Sequence, residues 1–258
     1  MTQRIAVVTG ASSGIGRATA VRLAAHGFHV LTVGRDERAL SDACREIERS
    51  GGSADRLAVD VTSDEAPSLI VARALARAGV GAGRGFDALV NAAGIISAAD
   101  VTTTTDAAWD EMMAINVRAP FRLLREAVPA LAARRGSVVN LSSVAGTRVF
   151  PGLTAYCVSK AAVDQLTRAA ALDLAPQGIR VNAVNPGVVV TNLHRRGGME
   201  EGKYAAFLDH SRTTHPLGRP GTPDEIAGLI AYLVSPEAAW VTGDTISIDG
   251  GRHLTCLR

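Results

Sequence analysis

Seven short apolar runs alternate with long helical patterns from one end of the chain to the other. This rhythm narrows the possible folds more than any single motif. The runs are Ile5–Thr9, His29–Val33, Asp55–Ala58, Ala88–Asn91, Ser137–Leu141, Arg180–Val184 and Thr245–Ile248. Several are apolar throughout rather than alternating, as strands covered on both faces should be. Apolar residues at helical spacing fill the intervals at Ile15–His26, Glu37–Arg49, Glu65–Ala78, Ala107–Arg134, Ala155–Leu174 and Pro223–Leu233. Strand–helix–strand repetition with right-handed crossovers predicts an α/β fold, a doubly wound parallel sheet of seven strands with helices on both faces. No linker or repeat interrupts the pattern, so residues 1–258 read as a single domain. Two stretches break the rhythm. Gly79–Gly85 reads as a flexible loop before the fourth strand. The irregular stretch from Val188 to Pro220, with a possible short helix around Glu201–His210, reads as a substrate lid at 188–220; a variable surface loop is the plainer alternative.

Composition removes several classes of function. The 27 basic residues face 25 acidic ones, for a formal charge of +2, and aromatic content is 4%. Neither balance suits nucleic-acid binding. The longest apolar stretch, Ile226–Val234, is far short of the ~18 residues a membrane span needs. No signal pattern marks the N-terminal residues, and Cys44, Cys157 and Cys256 lie far apart with no CxxC pair. A cytoplasmic location follows as the expectation, with neither a disulfide framework nor a metal site.

The segment Thr9-Gly10-Ala11-Ser12-Ser13-Gly14-Ile15-Gly16 closes the first strand and opens a helix. Glycines there allow a tight turn and close backbone approach, so that a pyrophosphate can sit at the helix N-terminus, as in Rossmann dinucleotide sites. The spacing is GxxxGxG rather than GxGxxG; its place after the first strand carries the reading. At the end of the second strand, an acid would bond the ribose 2′-hydroxyl of NAD and repel the 2′-phosphate of NADP. The chain has Val33-Gly34-Arg35-Asp36 there. Gly34 carries no acid and Arg35 can pair with a phosphate, which favours NADP(H) over NAD(H). Asp36 pulls the other way, since a small loop shift would bring it to the ribose; the plain alternative is that both residues solvate a helix start.

Tyr156-Cys157-Val158-Ser159-Lys160 follows Ser143 by thirteen residues. Helical positions four apart share a face, so Tyr156 and Lys160 are expected to present a phenol and an ammonium to one pocket. At an effective dielectric near 20, a cation about 4–5 Å away stabilises a phenolate by roughly 3–4 kcal/mol. A tyrosine pKa about 2 units below its usual value near 10 is the expected result, an acid usable near neutral pH. Each residue alone has a plain role as cap or packing partner; together, beside a nucleotide turn, they read as a catalytic set. Ser142 competes with Ser143, but the spacing to Tyr156 favours the latter.

These residues bring out a resemblance that covers essentially the whole chain. The sequence resembles the short-chain dehydrogenase/reductases through Thr9-Gly10 to Gly16, Asp60-Val61, Asn91-Ala92-Ala93-Gly94, Asn116, Ser143, Tyr156-x-x-x-Lys160 and Pro186-Gly187. Within that family it is most similar to 3-oxoacyl-carrier-protein reductase-like and carbonyl reductase members. The resemblance implies that Ser143 bonds the substrate carbonyl and Tyr156 donates the proton. Lys160 then lowers the tyrosine pKa and holds the nicotinamide ribose, while Asn116 anchors a water in a proton relay. It also implies that Asp60 and Val61 border the adenine, that Asn91, Ala92 and Gly94 line the cofactor cleft, and that Pro186, Gly187 and Thr191 flank the nicotinamide. Family members are commonly homotetramers with interfaces formed by the helices around 107–134 and 155–174. Asn-Ala-Ala-Gly replaces the frequent Asn-Asn-Ala-Gly. Of the two arginines that dock an acyl carrier protein in fatty-acid synthesis, Arg134 matches one, whereas Gln177 stands where the other is expected.

In the 188–220 stretch, His194, Arg195 and Arg196 are candidates to recognise an anionic substrate or the cofactor phosphate, or form a solvated run. Val144, Val149, Phe150 and Leu193 are candidates for an apolar substrate wall. Cys157 reads as helix packing. The leading expectation is an NADP(H)-dependent oxidoreductase that reduces a ketone, aldehyde or 3-oxoacyl group of a small-molecule substrate. The alternatives are an NAD-linked alcohol dehydrogenase working oxidatively and a nucleotide-binding protein without turnover.

Overall fold

The computed structural model describes residues 3–78 and 84–255. Most of the glycine-rich loop read at 79–85 and the position of Cys256 lie outside the described residues. Seven strands form one sheet: β1 (Arg4–Thr9), β2 (Phe28–Gly34), β3 (Ser53–Ala58), β4 (Ala88–Asn91), β5 (Ser137–Leu141), β6 (Arg180–Pro186) and β7 (Thr245–Ile248). Their spatial order is β3-β2-β1-β4-β5-β6-β7, and each neighbouring pair is parallel. The expected doubly wound Rossmann sheet is therefore present. The order reverses between β1 and β4, and a crevice opens there beyond the carboxyl ends of the strands.

The helices cover both faces. On one face, α1 (Gly14–Ala25), α2 (Glu37–Arg49) and α9 (Pro223–Val234) bury Leu23, Leu40, Ile47, Ile226 and Ile230 against Ala6, Val8, Val30 and Val139. On the other, α3 (Ala66–Leu75), α5 (Ala119–Ala132) and α6 (Thr154–Leu174) bury Ile70, Leu124, Leu131 and Leu174 against Val7, Leu31, Leu89 and Val138. Alternate residues of β1 thus enter opposite cores, and each fully buried Val or Leu contributes about 1.5–3 kcal/mol. Those two cores explain the continuous apolar runs of the central strands. At the edges, β3 (SADRLA) and β7 (TISI) are partly exposed and more polar.

The structure departs from the expected elements in two places. The helix read over Ala107–Arg134 is split into α4 (Asp106–Met113), a π segment (Ala114–Arg118) and α5. A widened turn of this kind adds a residue to one helical turn, and it carries Asn116. The 188–220 stretch is more ordered than its sequence suggests: it holds α7 (Leu193–Arg196) and the fourteen-residue α8 (Glu201–Thr214). A parallel bridge between Val189 and Gly221 pins its base.

Candidate active site

Three adjoining cavities run along the carboxyl ends of the strands. The first, about 360 Å³, is lined by Gly10, Ser12, Gly34, Arg35, Asp60, Val61 and Gly94, among others. The second, about 110 Å³, follows the glycine turn from Gly10 through Ser12, Ser13, Gly14, Ile15 and Gly16 to Thr191. The third, about 350 Å³, holds Ser143, Tyr156, Lys160, Pro186 and Gly187. Gly94 lines all three, and Ala92 the last two.

This trough fits a dinucleotide. Gly10 has φ +66°, and a Cβ there would lie 2.7 Å from the Ala92 carbonyl oxygen, so the turn accepts no side chain. A Cβ on Gly16 would overlap the Gly10 carbonyl. The N-cap Ser13 makes no side-chain cap bond, so the first N–H groups of α1 face the second cavity unmet by a side-chain cap. Thr9 fixes the two loops together, its hydroxyl accepting from the Ala92 N–H at 3.1 Å and the Ala93 N–H at 3.2 Å.

At the ribose end, Asp36 lines the first cavity, and its Oδ1 also caps α2 by accepting from the Ala39 N–H at 3.0 Å. Asp60 is oriented by the Thr62 N–H and hydroxyl, which hold its carboxyl below the usual range. Arg35, 69% exposed at its side chain, stands 3.9 Å from Asp60.

Ser143, Tyr156 and Lys160 converge on the third cavity. Ser143 follows β5 in extended conformation, and its Oγ accepts from the Ala145 N–H at 3.1 Å. The Ser143 hydroxyl lies close enough to the Tyr156 phenol to favour its ionised form. Ser142 lines the same cavity, but its hydroxyl is engaged, donating to the Lys160 carbonyl at 3.1 Å. The lysine ammonium lies 5.7 Å from the Tyr156 ring centroid and donates to the Leu141 carbonyl at 2.8 Å.

The expected low tyrosine pKa is corrected by this arrangement. Tyr156 is 7% exposed and Lys160 5%. Burial pushes the phenol up to about 12, opposed by the Ser143 hydroxyl, and pulls the lysine down to about 8, with Asp164 opposing. Desolvation of both groups wins because the ammonium is turned to a backbone carbonyl.

Asn116 is buried, and its amide is fully engaged. Its Nδ2 donates to the Ile95 carbonyl and Ser159 Oγ, each at 3.0 Å, and its Oδ1 accepts from the Ile95 N–H at 2.9 Å. It ties the loop after β4 to α6. Asn91 lines a small cavity with Val61, Ala93 and Ile115, residues that also border the first cavity. Its Nδ2 donates to Asn140 Oδ1 at 2.9 Å, and Asn140 donates to Thr167 at 2.9 Å, a buried polar chain beneath the site.

Residues of the 188–220 segment line all three cavities. The Thr191 methyl lies 3.2 Å from where a Gly14 side chain would begin. Tyr204 in α8 grips Thr191 through both backbone groups. Of the three basic residues, His194 packs at a tilt against Phe207 with centroids 4.6 Å apart, and burial lowers its pKa. Arg195 pairs with Glu201 at 2.6 Å over the Tyr204 ring. Arg196 lines the first two cavities. Val144, Phe150 and Leu193 wall the third cavity as expected, but Val149 is 85% exposed and takes no part. Cys157 packs with Ile96 and Met112. Arg134, matched above to a carrier-protein docking residue, pairs with Asp87 at 3.2 Å.

The family model described as enoyl-(acyl carrier protein) reductase matches residues 10–253. Galactitol 2-dehydrogenase (L-tagatose-forming) from Cereibacter sphaeroides is 39% identical over 249 residues, covering 95% of this chain and 93% of that protein. The 3-oxoacyl-[acyl-carrier-protein] reductase of Thermotoga maritima is 36% identical, covering 96% and 97%. The chain belongs to the short-chain dehydrogenase/reductase family. A provisionally assigned NAD(P)-dependent gluconate 5-dehydrogenase from Beutenbergia cavernae, solved with NADP at low occupancy, superposes with a TM-score of 0.87 at 34% identity over 99% of this chain and 98% of that one. As a short-chain dehydrogenase/reductase, the protein is an NAD(P)-dependent enzyme acting on alcohol and carbonyl groups.

Several residues of this short-chain dehydrogenase/reductase site carry no local sequence signal. Tyr204 lies in the irregular 188–220 stretch and Arg252 beyond the last strand, outside every motif, yet Arg252 lines the third cavity. Among the described residues no cluster of ligands could hold a metal, and no helix is long and apolar enough to cross a membrane.

Proposed function

We propose that the enzyme reduces a ketone or aldehyde with NADP(H), using Tyr156 as the proton donor. The convergence of Ser143, Tyr156 and Lys160 on a cavity continuous with the dinucleotide trough carries this reading. A substrate carbonyl oxygen held between the Ser143 hydroxyl and the Tyr156 phenol receives two hydrogen bonds, which strengthen as negative charge develops. Tyr156 then transfers its proton to that oxygen. The dinucleotide, when bound, supplies the hydride. Lys160 offsets the burial of the resulting phenolate, and Asn116 holds the loop that carries Gly94 against α6. The glycine turn, Asp60, Val61, Ala92, Gly94, Pro186, Gly187 and Thr191 hold the cofactor, while Arg35 and the acid-free Gly34 favour NADP(H).

The same geometry runs in reverse, and the galactitol relative is named for alcohol oxidation; NAD-linked oxidation is the second reading. A non-catalytic nucleotide binder is disfavoured by the assembled Ser143–Tyr156 pair.

The whole chain acts on this reading as one dinucleotide-binding catalytic domain with residues 188–220 as lid. The partner is a small-molecule substrate, with no nucleic acid or membrane, in the cytoplasm. A homotetramer is supported by exposed Trp109, Phe121, Val158 and Leu172 on α4, α5 and α6; light scattering on wild type and Phe121→Asp tests it. The activity itself is tested by incubating purified protein and NADPH or NADH with 3-oxoacyl thioesters, aliphatic and aryl ketones, sugars and steroids. Cofactor binding without oxidation across the whole panel overturns the reductase reading.

A further inference from the structure

The third cavity has an asymmetry that carbonyl reduction does not require. Its walls are largely apolar, from Ile96, Val144, Phe150, Leu193 and Phe207, yet a lysine and an arginine line it, Lys160 and Arg252, with His194 and His210 beside them, and no aspartate or glutamate does so among the described residues. Lys160 belongs to the reacting end. Arg252 does not: it lies after β7 in a short 3₁₀ turn (Arg252–Leu254) and is absent from the residues that this cavity shares with the glycine turn.

Arg252 is 9% exposed. Its guanidinium donates to the Thr214 hydroxyl at the end of α8 and lies 5.0 Å from the Phe150 ring centroid. No carboxylate among the described residues forms an ion pair with it. The nearest acid in the sequence, Asp249, is already occupied: its oxygens accept from the Gly251 N–H at 3.0 Å and the His253 N–H at 2.7 Å, and it pairs with the His253 ring at 3.0 Å. Arg148 adds a second positive charge nearby while its Nη1 donates to the Arg252 and His253 carbonyls at 3.1 Å each. Burial together with Arg148 disfavours the charged form of Arg252. A guanidinium remains charged at all ordinary pH values, and a buried charge is normally paired. Here one hydroxyl and one aromatic ring meet only part of its five-donor fork, and the residue faces a ligand cavity.

We propose that Arg252 anchors a carboxylate of the substrate, so that the carbonyl presented to Ser143 and Tyr156 belongs to a small oxo acid and the alcohol to the matching hydroxy acid. The planar fork matches a carboxylate in bidentate geometry. A carboxylate supplies the one charge the cavity lacks, while Phe150, Phe207 and Leu193 cover an aliphatic spacer. The cavity of about 350 Å³ also includes Pro186 and Gly187 of the nicotinamide end, which leaves room for a short chain rather than a bulky conjugate. This proposal rests on the reading of Ser143 and Tyr156 as the reacting end.

The test uses full-length enzyme, straight-chain 2-, 3- and 4-oxo acids of four to eight carbons, their methyl esters and the matching oxo phosphonates. The wild type is expected to show at least tenfold higher kcat/KM for the preferred acid than for its ester. In Arg252→Leu that ratio falls at least tenfold, and Arg252→Lys retains part of it. Equal handling of acid and ester by the wild type overturns the proposal, and so does preference for a phosphonate over its carboxylate. Calorimetric titration of saturated carboxylates, butanoate to octanoate, into cofactor-loaded protein gives a readout independent of turnover. Binding by the wild type that weakens at least tenfold in Arg252→Leu supports the anchor, and no binding by the wild type overturns it. Turnover of neutral ketones without acid preference sinks the anchor alone. Carboxylate binding without reduction of any carbonyl sinks the reaction alone. Thermal melts of both variants identify a folding defect, in which case the wild-type acid-to-ester ratio decides.

Discussion

Tyr204 holds Thr191 by both of its backbone groups: the phenol oxygen accepts from the Thr191 N–H at 3.2 Å and donates to the Thr191 carbonyl at 2.8 Å. A buried side chain of α8 thereby sets the position of a residue that overlies Gly14. Tyr204→Phe keeps the ring and removes both bonds, at a cost of about 1–3 kcal/mol for the groups left unpaired. The expected result is weaker cofactor binding, several-fold in Kd by fluorescence titration, with a smaller change in kcat. An unchanged Kd would show that α8 does not control closure over the cofactor.

Tyr156→Phe removes the proposed proton donor while keeping its packing against Ile96 and Met112. Turnover should fall by about 10²–10⁴-fold, with NADPH affinity within a few-fold of wild type. Ser143→Ala should cost about 10²-fold or more in kcat, since one donor to the developing oxyanion is lost. Single-turnover kinetics with a responsive ketone separates these losses from binding. Near-normal turnover of Tyr156→Phe removes the phenol from the mechanism.

The pH dependence follows from two opposed shifts. Tyr156, raised to about 12, stays protonated throughout the working range, so the acid for reduction is always present. Lys160, lowered to about 8, loses its charge as pH rises through that value. Reduction should therefore hold below pH 8 and decline above it. Oxidation needs a deprotonated phenol and should rise with pH. Profiles of kcat/KM in both directions check this. A reduction rate flat to pH 10 would exclude a charged Lys160 from the rate-determining step.

On the proposed NADP(H) reading, Arg35 meets the 2′-phosphate. Arg35→Ala should raise KM for NADPH about tenfold or more and leave NADH use nearly unchanged, as expected when a charge-assisted phosphate contact is lost. Steady-state kinetics with both cofactors measures it. Equal losses with the two cofactors would contradict the assignment and bring NAD forward.

Acid stability should depend on Asp55 in β3. Hydrogen bonding to Arg77 holds its carboxyl down to about 2 against partial burial, with His29 and Arg73 adding to the effect. A carboxyl whose pKa is lowered on folding contributes stability above its ordinary value near 4, and that contribution is lost as pH falls toward 2. About 2 kcal/mol is at stake. Asp55→Asn should lower the melting temperature at pH 7 and flatten its dependence between pH 4 and 2. Parallel melting curves for both proteins would refute the assignment.

Much of this molecule was legible in its sequence, for physical reasons. Buried parallel strands leave unbroken apolar runs, which mark the central strands, while the strand–helix rhythm marks the more polar edges β3 and β7; the glycine turn and Tyr156–Lys160 pair are local patterns. What escaped depends on contacts between distant segments. The Asn91–Asn140 bond beneath the site joins residues 49 positions apart and has no local signal. The tyrosine pKa went the wrong way because spacing gives proximity but not desolvation, nor the Leu141 carbonyl that draws the ammonium. The π turn at Asn116 has no clear marker in a helix-forming sequence. Arg252 meets Thr214 and Phe150 only after the chain has folded, across 38 and 102 positions of sequence.

Ser143, just beyond β5, and Tyr156 and Lys160 on α6 are held by the central sheet, whereas the cavity's outer wall comes from Phe150, Leu193, Phe207 and Arg252 on connecting segments. Chemistry and selectivity are therefore mechanically separable. Exchanging those connecting segments should retune which molecule is accepted without disturbing strand pairing, so evolution or an engineer can respecify this protein by editing its margins while leaving its frame untouched.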